Sequence, residues 1–91
     1  MKTIHHRTLE RIVKGFSNHR RIQILFLLKE HAELSVGEIA ERLKIHFKTA
    51  AQHVQKLAIS GLVLKRNEGN IVRHKLTSRA ESILKFLRII E

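Results

Sequence analysis

Residues 38–57 read Glu38-Ile-Ala-Glu-Arg-Leu-Lys-Ile-His-Phe-Lys-Thr-Ala-Ala-Gln-His-Val-Gln-Lys-Leu57. Ile39, Ala40 and Leu43 fall on one face of a helix over about residues 36–43. Ala50, Val54 and Leu57 fall on one face of a second helix over 46–60. Between them Lys44-Ile45 leave room only for a tight turn. Ser35 and Glu38 stand at capping-box spacing, which marks the start of the first helix. Gly61 fits the left-handed position that follows a helix end. The second helix presents a polar, partly basic face opposite its apolar one.

Outward from this pair, the amino-terminal side is helical. Leu9, Ile12, Val13 and Phe16 repeat at i, i+3, i+4, i+7 in a helix over 3–16, with Gly15 near its end. Ser17-Asn18 can cap the next helix, over 18–31, whose apolar stripe of Ile22, Leu25, Phe26 and Leu28 is widened by Ile24 and Leu27. On the carboxyl side the period changes to two. Leu62–Arg66 and Ile71–Leu76 read as strands, joined by the turn-rich Asn67-Glu-Gly-Asn70. Val72, His74 and Leu76 share one face of the second strand; Arg73 and Lys75 share the other. Thr77 or Ser78 can cap a last helix to the carboxyl end. The fold class is mainly α with a small β-hairpin, in the order α-α-α-α-β-β-α, and residues 1–91 form a single domain.

Composition narrows the partners. The formal charge is +10, from 18 Lys+Arg against 8 Asp+Glu, with seven histidines in reserve. That balance favours a polyanion: DNA, RNA or an anionic membrane surface. No cysteine occurs, which excludes disulfides and thiolate metal sites. No apolar run reaches the roughly 18 residues of a membrane span, and the amino end has no secretory h-region; the expected compartment is the cytoplasm. A domain of this size buries only about two thirds of its unfolded surface, so a partner chain would add needed burial. An enzyme is not expected. No phosphate-cradling glycine loop is present, no Ser/His/Asp or Cys/His set stands at interpretable positions, and the acids are few and scattered. No cofactor is implied. His5-His6 read as a solvated arm.

The chain resembles the ArsR-like winged helix-turn-helix repressors. The resemblance rests on Asn18-His-Arg-Arg-Ile-Gln-Ile-Leu, Glu33-Leu-Ser-Val-Gly-Glu-Ile-Ala, His46–Leu57, Gly61-Leu-Val and Glu68-Gly69, over about residues 17–77. It implies a homodimeric transcriptional regulator, paired through its first and last helices and in many members released from DNA by metal ions. The sequence departs from that pattern twice. Ser35-Val36-Gly37 stand where metal-sensing members carry cysteines, and residues 78–91 hold no histidine and only Glu81 and Glu91 as acids, so both commonly used metal sites are absent. His46 stands where the family usually has a serine cap.

On this reading the helix over 46–60 enters the major groove of duplex DNA. Its outward residues are Phe47, Lys48, Ala51, Gln52 and Gln55. Gln52 can bond bidentately to adenine, Lys48 to guanine or a phosphate, and Phe47 and Ala51 can meet thymine methyl groups. Alternatively, Phe47 folds back onto the preceding helix. Thr49 can bond a phosphate, and His53 lies at the edge between the two faces, for core packing or a phosphate. The hairpin over 62–76 is the wing, with Lys65, Arg66, Arg73 and Lys75 along the backbone or in the minor groove. Arg20 and Arg21 stand at a helix start, where cations are unfavourable, which hints at an external anion.

The flanking segments 1–16 and 77–91 are the expected dimerisation helices. Leu9, Ile12, Val13 and Phe16 face Ile83, Leu84, Phe86, Leu87 and Ile90. A two-fold dimer favours a near-palindromic site. The rival readings are a winged-helix RNA-binding or replication-type module, and a protein-interaction winged helix. Competition between duplex DNA and duplex RNA separates the first from the dimeric regulator; neutralising Lys48, Arg66 and Arg73 together separates the second.

Overall fold

The computed structural model describes residues 3–91. Its elements run α1 (His6–Phe16), α2 (His19–Glu30), α3 (Val36–Leu43), α4 (Phe47–Ile59), β1 (Val63–Glu68), β2 (Ile71–Leu76) and α5 (Ser78–Ile90). This is the expected order. Helix α1 starts at His6 rather than residue 3, and no side chain caps it at His5.

The other helix starts are chemically specified. Asn18 Oδ1 accepts from the backbone N–H groups of Arg20 and Arg21, at 2.9 and 3.2 Å. Ser35 and Glu38 complete the capping box on α3. Thr77, not Ser78, caps α5: its Oγ1 accepts from Ala80 N at 3.2 Å and donates to the Gly61 carbonyl at 2.7 Å. Helix α4 begins at Phe47, after a His46 that makes no side-chain cap bond.

Helices α3 and α4 end alike. Ile45 N–H reaches back to Ala40 O, and Leu62 N–H to Leu57 O, each across a left-handed residue. In the second case that residue is Gly61, at φ 74°, where glycine carries no Cβ penalty. In the first it is Lys44, at φ 56°, a conformation that costs a non-glycine residue on the order of 1 kcal/mol. The chain accepts that cost to turn between α3 and α4 within three residues.

Strands β1 and β2 pair antiparallel with Glu68 opposite Ile71. Asn67 and Glu68 are therefore strand residues, and the link is the two-residue turn Gly69-Asn70, tighter than the four-residue link expected. Gly69, at φ 61°, occupies the first central position, where such hairpin turns favour glycine. The free edge of β2 is covered by the segment before α3: Glu33 N–H donates to His74 O at 2.8 Å, and His74 N–H to Leu34 O at 3.0 Å. The buried His74 ring is satisfied there as well, through Nδ1 and the Leu34 carbonyl at 2.9 Å, so it is a core histidine.

One core gathers Ile24, Leu25 and Leu28 of α2, Ile39 of α3, Ala50, Val54 and Leu57 of α4, Leu62 and Val63 at the hairpin base, and Ala80 and Leu84 of α5. Two residues expected at a dimer surface belong here instead. Phe16 is 9% exposed and Leu84 is 2% exposed. Helix α1 packs on α2 and α4 while α5 packs on α2 and β2, and each must spend one large side chain to stay docked. Among the described residues no helix is long and apolar enough to cross a membrane.

Candidate nucleic-acid interface

With Ala50, Val54 and Leu57 committed inward, α4 has its opposite side free. Phe47, Lys48, Gln52 and Gln55 are exposed; Thr49, Ala51 and His53 are half-buried. Phe47 is 60% exposed and borders a shallow groove with Val36 and Gly37 of α3 and Ile71 and Val72 of the wing. It has not folded away onto α3. Lys56 is exposed on the same helix and does not stand out in the sequence, because it falls where an ordinary solvated lysine would.

His53 marks a third side of α4, turned toward α1 and α2. Arg21 Nε–H donates to His53 Nδ1 at 3.3 Å, and the same guanidinium donates from Nη1 to the carbonyls of Lys14 and Gly15, both at 3.1 Å. Arg21 thus closes the carboxyl end of α1 and ties it to α4. Its unfavourable place at a helix start is compensated inside the molecule, without an external anion. Arg20 bonds Gln23 at 3.0 Å. Further along this side of α4, Ser60 lies under α1, where a Cβ on Gly15 would come within 1.9 Å of Ser60 Oγ.

Burial, then the cations Arg21, Lys56 and Arg20, hold the His53 pKa below its ordinary value. A base with a depressed folded pKa is protonated first in the unfolded chain. Its contribution to stability is complete above the ordinary histidine value of about 6.5 and is lost as pH falls below it. Urea midpoints are therefore expected to decline from about pH 7 to about pH 5.5, and His53→Gln is expected to flatten part of that decline. Equal pH profiles for the two proteins would remove His53 from the account.

The wing is not the uniformly free cationic hairpin expected. Lys65 and Lys75 are exposed and make no ion pair among the described residues. Arg66, by contrast, lies 3.1 Å from Glu33 and 3.0 Å from Glu68. Arg73 lies 3.3 Å from Glu68 and 3.7 Å from Glu38. Bonds from Arg66 and then Arg73 lower the Glu68 pKa, and bonds from Glu68 and Glu33 raise that of Arg66. Glu38 is lowered chiefly by its backbone bond to Ser35, with Arg73 a smaller cause. In the sequence Glu38 read as a capping residue and Glu68 as part of a turn, and nothing tied them or Glu33 to the arginines. Among the described residues no group of three or more His, Asp or Glu side chains is placed to hold a metal ion.

Comparison with known proteins places this helix-turn-helix and its flanking hairpin in a family. The sequence model of the bacterial regulatory proteins of the arsR family matches residues 18–65, just over half of the chain. The chain belongs to the arsR family of bacterial regulatory proteins. The transcriptional activator HlyU of Vibrio cholerae is 40% identical over 67 residues, which make up 74% of this chain and 61% of that protein. The structure of reduced HlyU from Vibrio cholerae superposes with a TM-score of 0.80 at 31% identity, covering 93% of this chain and 90% of that one. A homodimeric winged helix-turn-helix DNA-binding domain of a possible ArsR-family transcriptional regulator from Mycobacterium bovis superposes at 0.85, with 26% identity, covering 99% and 89%. The arsR family is one of transcriptional regulators, not of enzymes, and α3 and α4 of this member are its helix-turn-helix.

Further exposed apolar surface lies at Ile59, the end of α4, and along α1 and α5. A groove of about 710 Å³ runs between α1 and α5, lined among others by Leu9, Ile12, Val13, Ile83 and Phe86. Leu9, Val13 and Phe86 are about half exposed and Ile90 is 61% exposed. Ile12, Ile83 and Leu87 are half-buried against the core.

Proposed function

We propose that the chain is a sequence-specific, DNA-binding transcriptional regulator that works as a homodimer in the cytoplasm, and a repressor where its site overlaps a promoter. The observation that carries this reading is the open side of α4. Phe47, Lys48, Gln52 and Gln55 are all solvent-facing on a helix whose opposite side, Ala50, Val54 and Leu57, is fixed by the core. Gln52 would read adenine, Lys48 guanine or a phosphate, and Phe47 and Ala51 thymine methyl groups; Thr49 and the wing lysines would fix register on the backbone. The homodimeric neighbour from Mycobacterium bovis supports pairing, and the groove between α1 and α5 offers the face. Residues 6–16 and 78–90 are then the dimerisation helices of one domain.

Duplex binding titrated across salt tests the polyanion part. Six to ten phosphate contacts per dimer would lower affinity about 10³–10⁵-fold between 50 and 200 mM salt. Gln52→Ala is expected to cost about 1–3 kcal/mol on the preferred sequence and little on unrelated duplex. Duplex RNA that competes as well as duplex DNA, or a flat salt dependence, would overturn the reading.

A further inference from the structure

Arg66 and Arg73 are direct cross-strand partners in the wing. Like charges opposite one another destabilise an antiparallel pair, yet these two are held side by side. Carboxylates separate them. One oxygen of Glu68 lies 3.0 Å from Arg66 Nη2 and the other 3.3 Å from Arg73 Nε. Glu33 Oε2 accepts from Arg66 Nη2 at 3.1 Å and from Nε at 3.3 Å. Arg73 Nη1 donates to the Glu33 carbonyl at 3.0 Å and lies 3.7 Å from Glu38 Oε1. Three acids thus answer two bases, a formal balance of −1 within the cluster.

The five residues come from separate parts of the chain. Arg66 and Glu68 belong to β1, Arg73 to β2, Glu38 to the first turn of α3, and Glu33 to the connection before it. Glu33 is itself immobilised: its backbone is at φ 69°, left-handed for a non-glycine residue, and its N–H is bonded to β2. A phosphate could replace a carboxylate partner of Arg73. Taking Arg73 Nη1 from the Glu33 carbonyl as well would break its tie to the segment before α3, and the Arg73 side chain is only 24% exposed.

We propose that Arg66 and Arg73 are positioning residues, which with Glu33, Glu38 and Glu68 form a strut fixing the angle of the wing to α3, and that Lys65 and Lys75 make the wing's phosphate contacts. The part concerning phosphate rests on the DNA-binding reading above; the strut itself does not.

Duplex affinity against salt separates the roles. Lys65→Gln and Lys75→Gln are each expected to reduce the slope of log affinity against log salt by about 0.9 for every phosphate left without its lysine. Arg66→Gln and Arg73→Gln are expected to weaken binding severalfold with the slope unchanged. Glu33→Gln gives the opposite sign to simple electrostatics: removing an acid beside DNA should tighten binding, whereas breaking the strut weakens it. A slope that falls by about 0.9 in either arginine variant, or tighter binding by Glu33→Gln, would overturn the proposal. Amide hydrogen exchange in the free protein supplies a second arm. Residues 71–76 are expected to exchange severalfold faster in Glu33→Gln and Arg73→Gln than in the unaltered chain, and unchanged exchange overturns the strut. Faster exchange in a protein that ignores duplex DNA would leave the strut standing and remove the DNA reading.

Discussion

Phe86→Glu is expected to make the protein monomeric and to weaken its hold on a duplex carrying two half-sites by on the order of 10²–10⁴-fold, the advantage that linked binding confers over a single contact. Phe86 is 53% exposed in the isolated chain, so its replacement removes little of the core, and helix content should be unchanged. Val13→Glu, on the facing side of the same groove and 51% exposed, should do the same. Leu84→Glu would not be an equivalent probe, since it places a charge in the core and unfolds the chain. Sedimentation of the variants beside duplex affinity reads both effects. Variants that remain dimeric would place the pairing face elsewhere on the molecule.

Gly15→Ala should destabilise the fold by about 1–3 kcal/mol, as overpacking does. At an unconstrained helix position the same change stabilises by up to about 1 kcal/mol. Here the added Cβ would lie 1.9 Å from Ser60 Oγ and 2.5 Å from Ser60 Cβ. A rotamer change can move the oxygen but not the carbon, so α1 must lift from α4. Ser60→Gly in the same chain should return most of the loss, and the non-additivity of the pair measures the contact. Denaturant midpoints at one fixed protein concentration decide the matter, because coupling to a dimer makes stability depend on concentration. A Gly15→Ala protein more stable than the parent would show that α1 does not sit as closely on α4 as described.

These two residues also show where the sequence was legible. Periodicity placed every element, because an apolar face at 3.6 or 2 residues per turn is a local property. It placed Gly61 as well, since a glycine after a helix end has one dominant use. Gly15 read only as punctuation; the close approach that requires it depends on Ser60, far along the chain. The same limit misassigned Phe16 and Leu84. Spacing shows that a face is apolar, not which of two neighbours covers each residue. Arg21 looked misplaced at a helix start until the α1 carbonyls and His53 stood beside it. Arg66 and Arg73 read as free cations because Glu33, which binds both, lies 33 and 40 positions away in sequence, and because the nearby Glu68 read as a turn residue rather than a strand residue on their face. Charge composition gave the class of partner; only packing separates the wing lysines that are open from the arginines that are occupied.

The central claim, that paired copies of α4 read DNA, is tested most directly by selecting bound sites from random duplex DNA. The expected result is an enriched near-palindrome whose half-sites lie about 10 base pairs apart, one helical turn, with enrichment lost in Gln52→Ala. Recovery of unenriched random sequence, from a protein that is folded and dimeric, would contradict it.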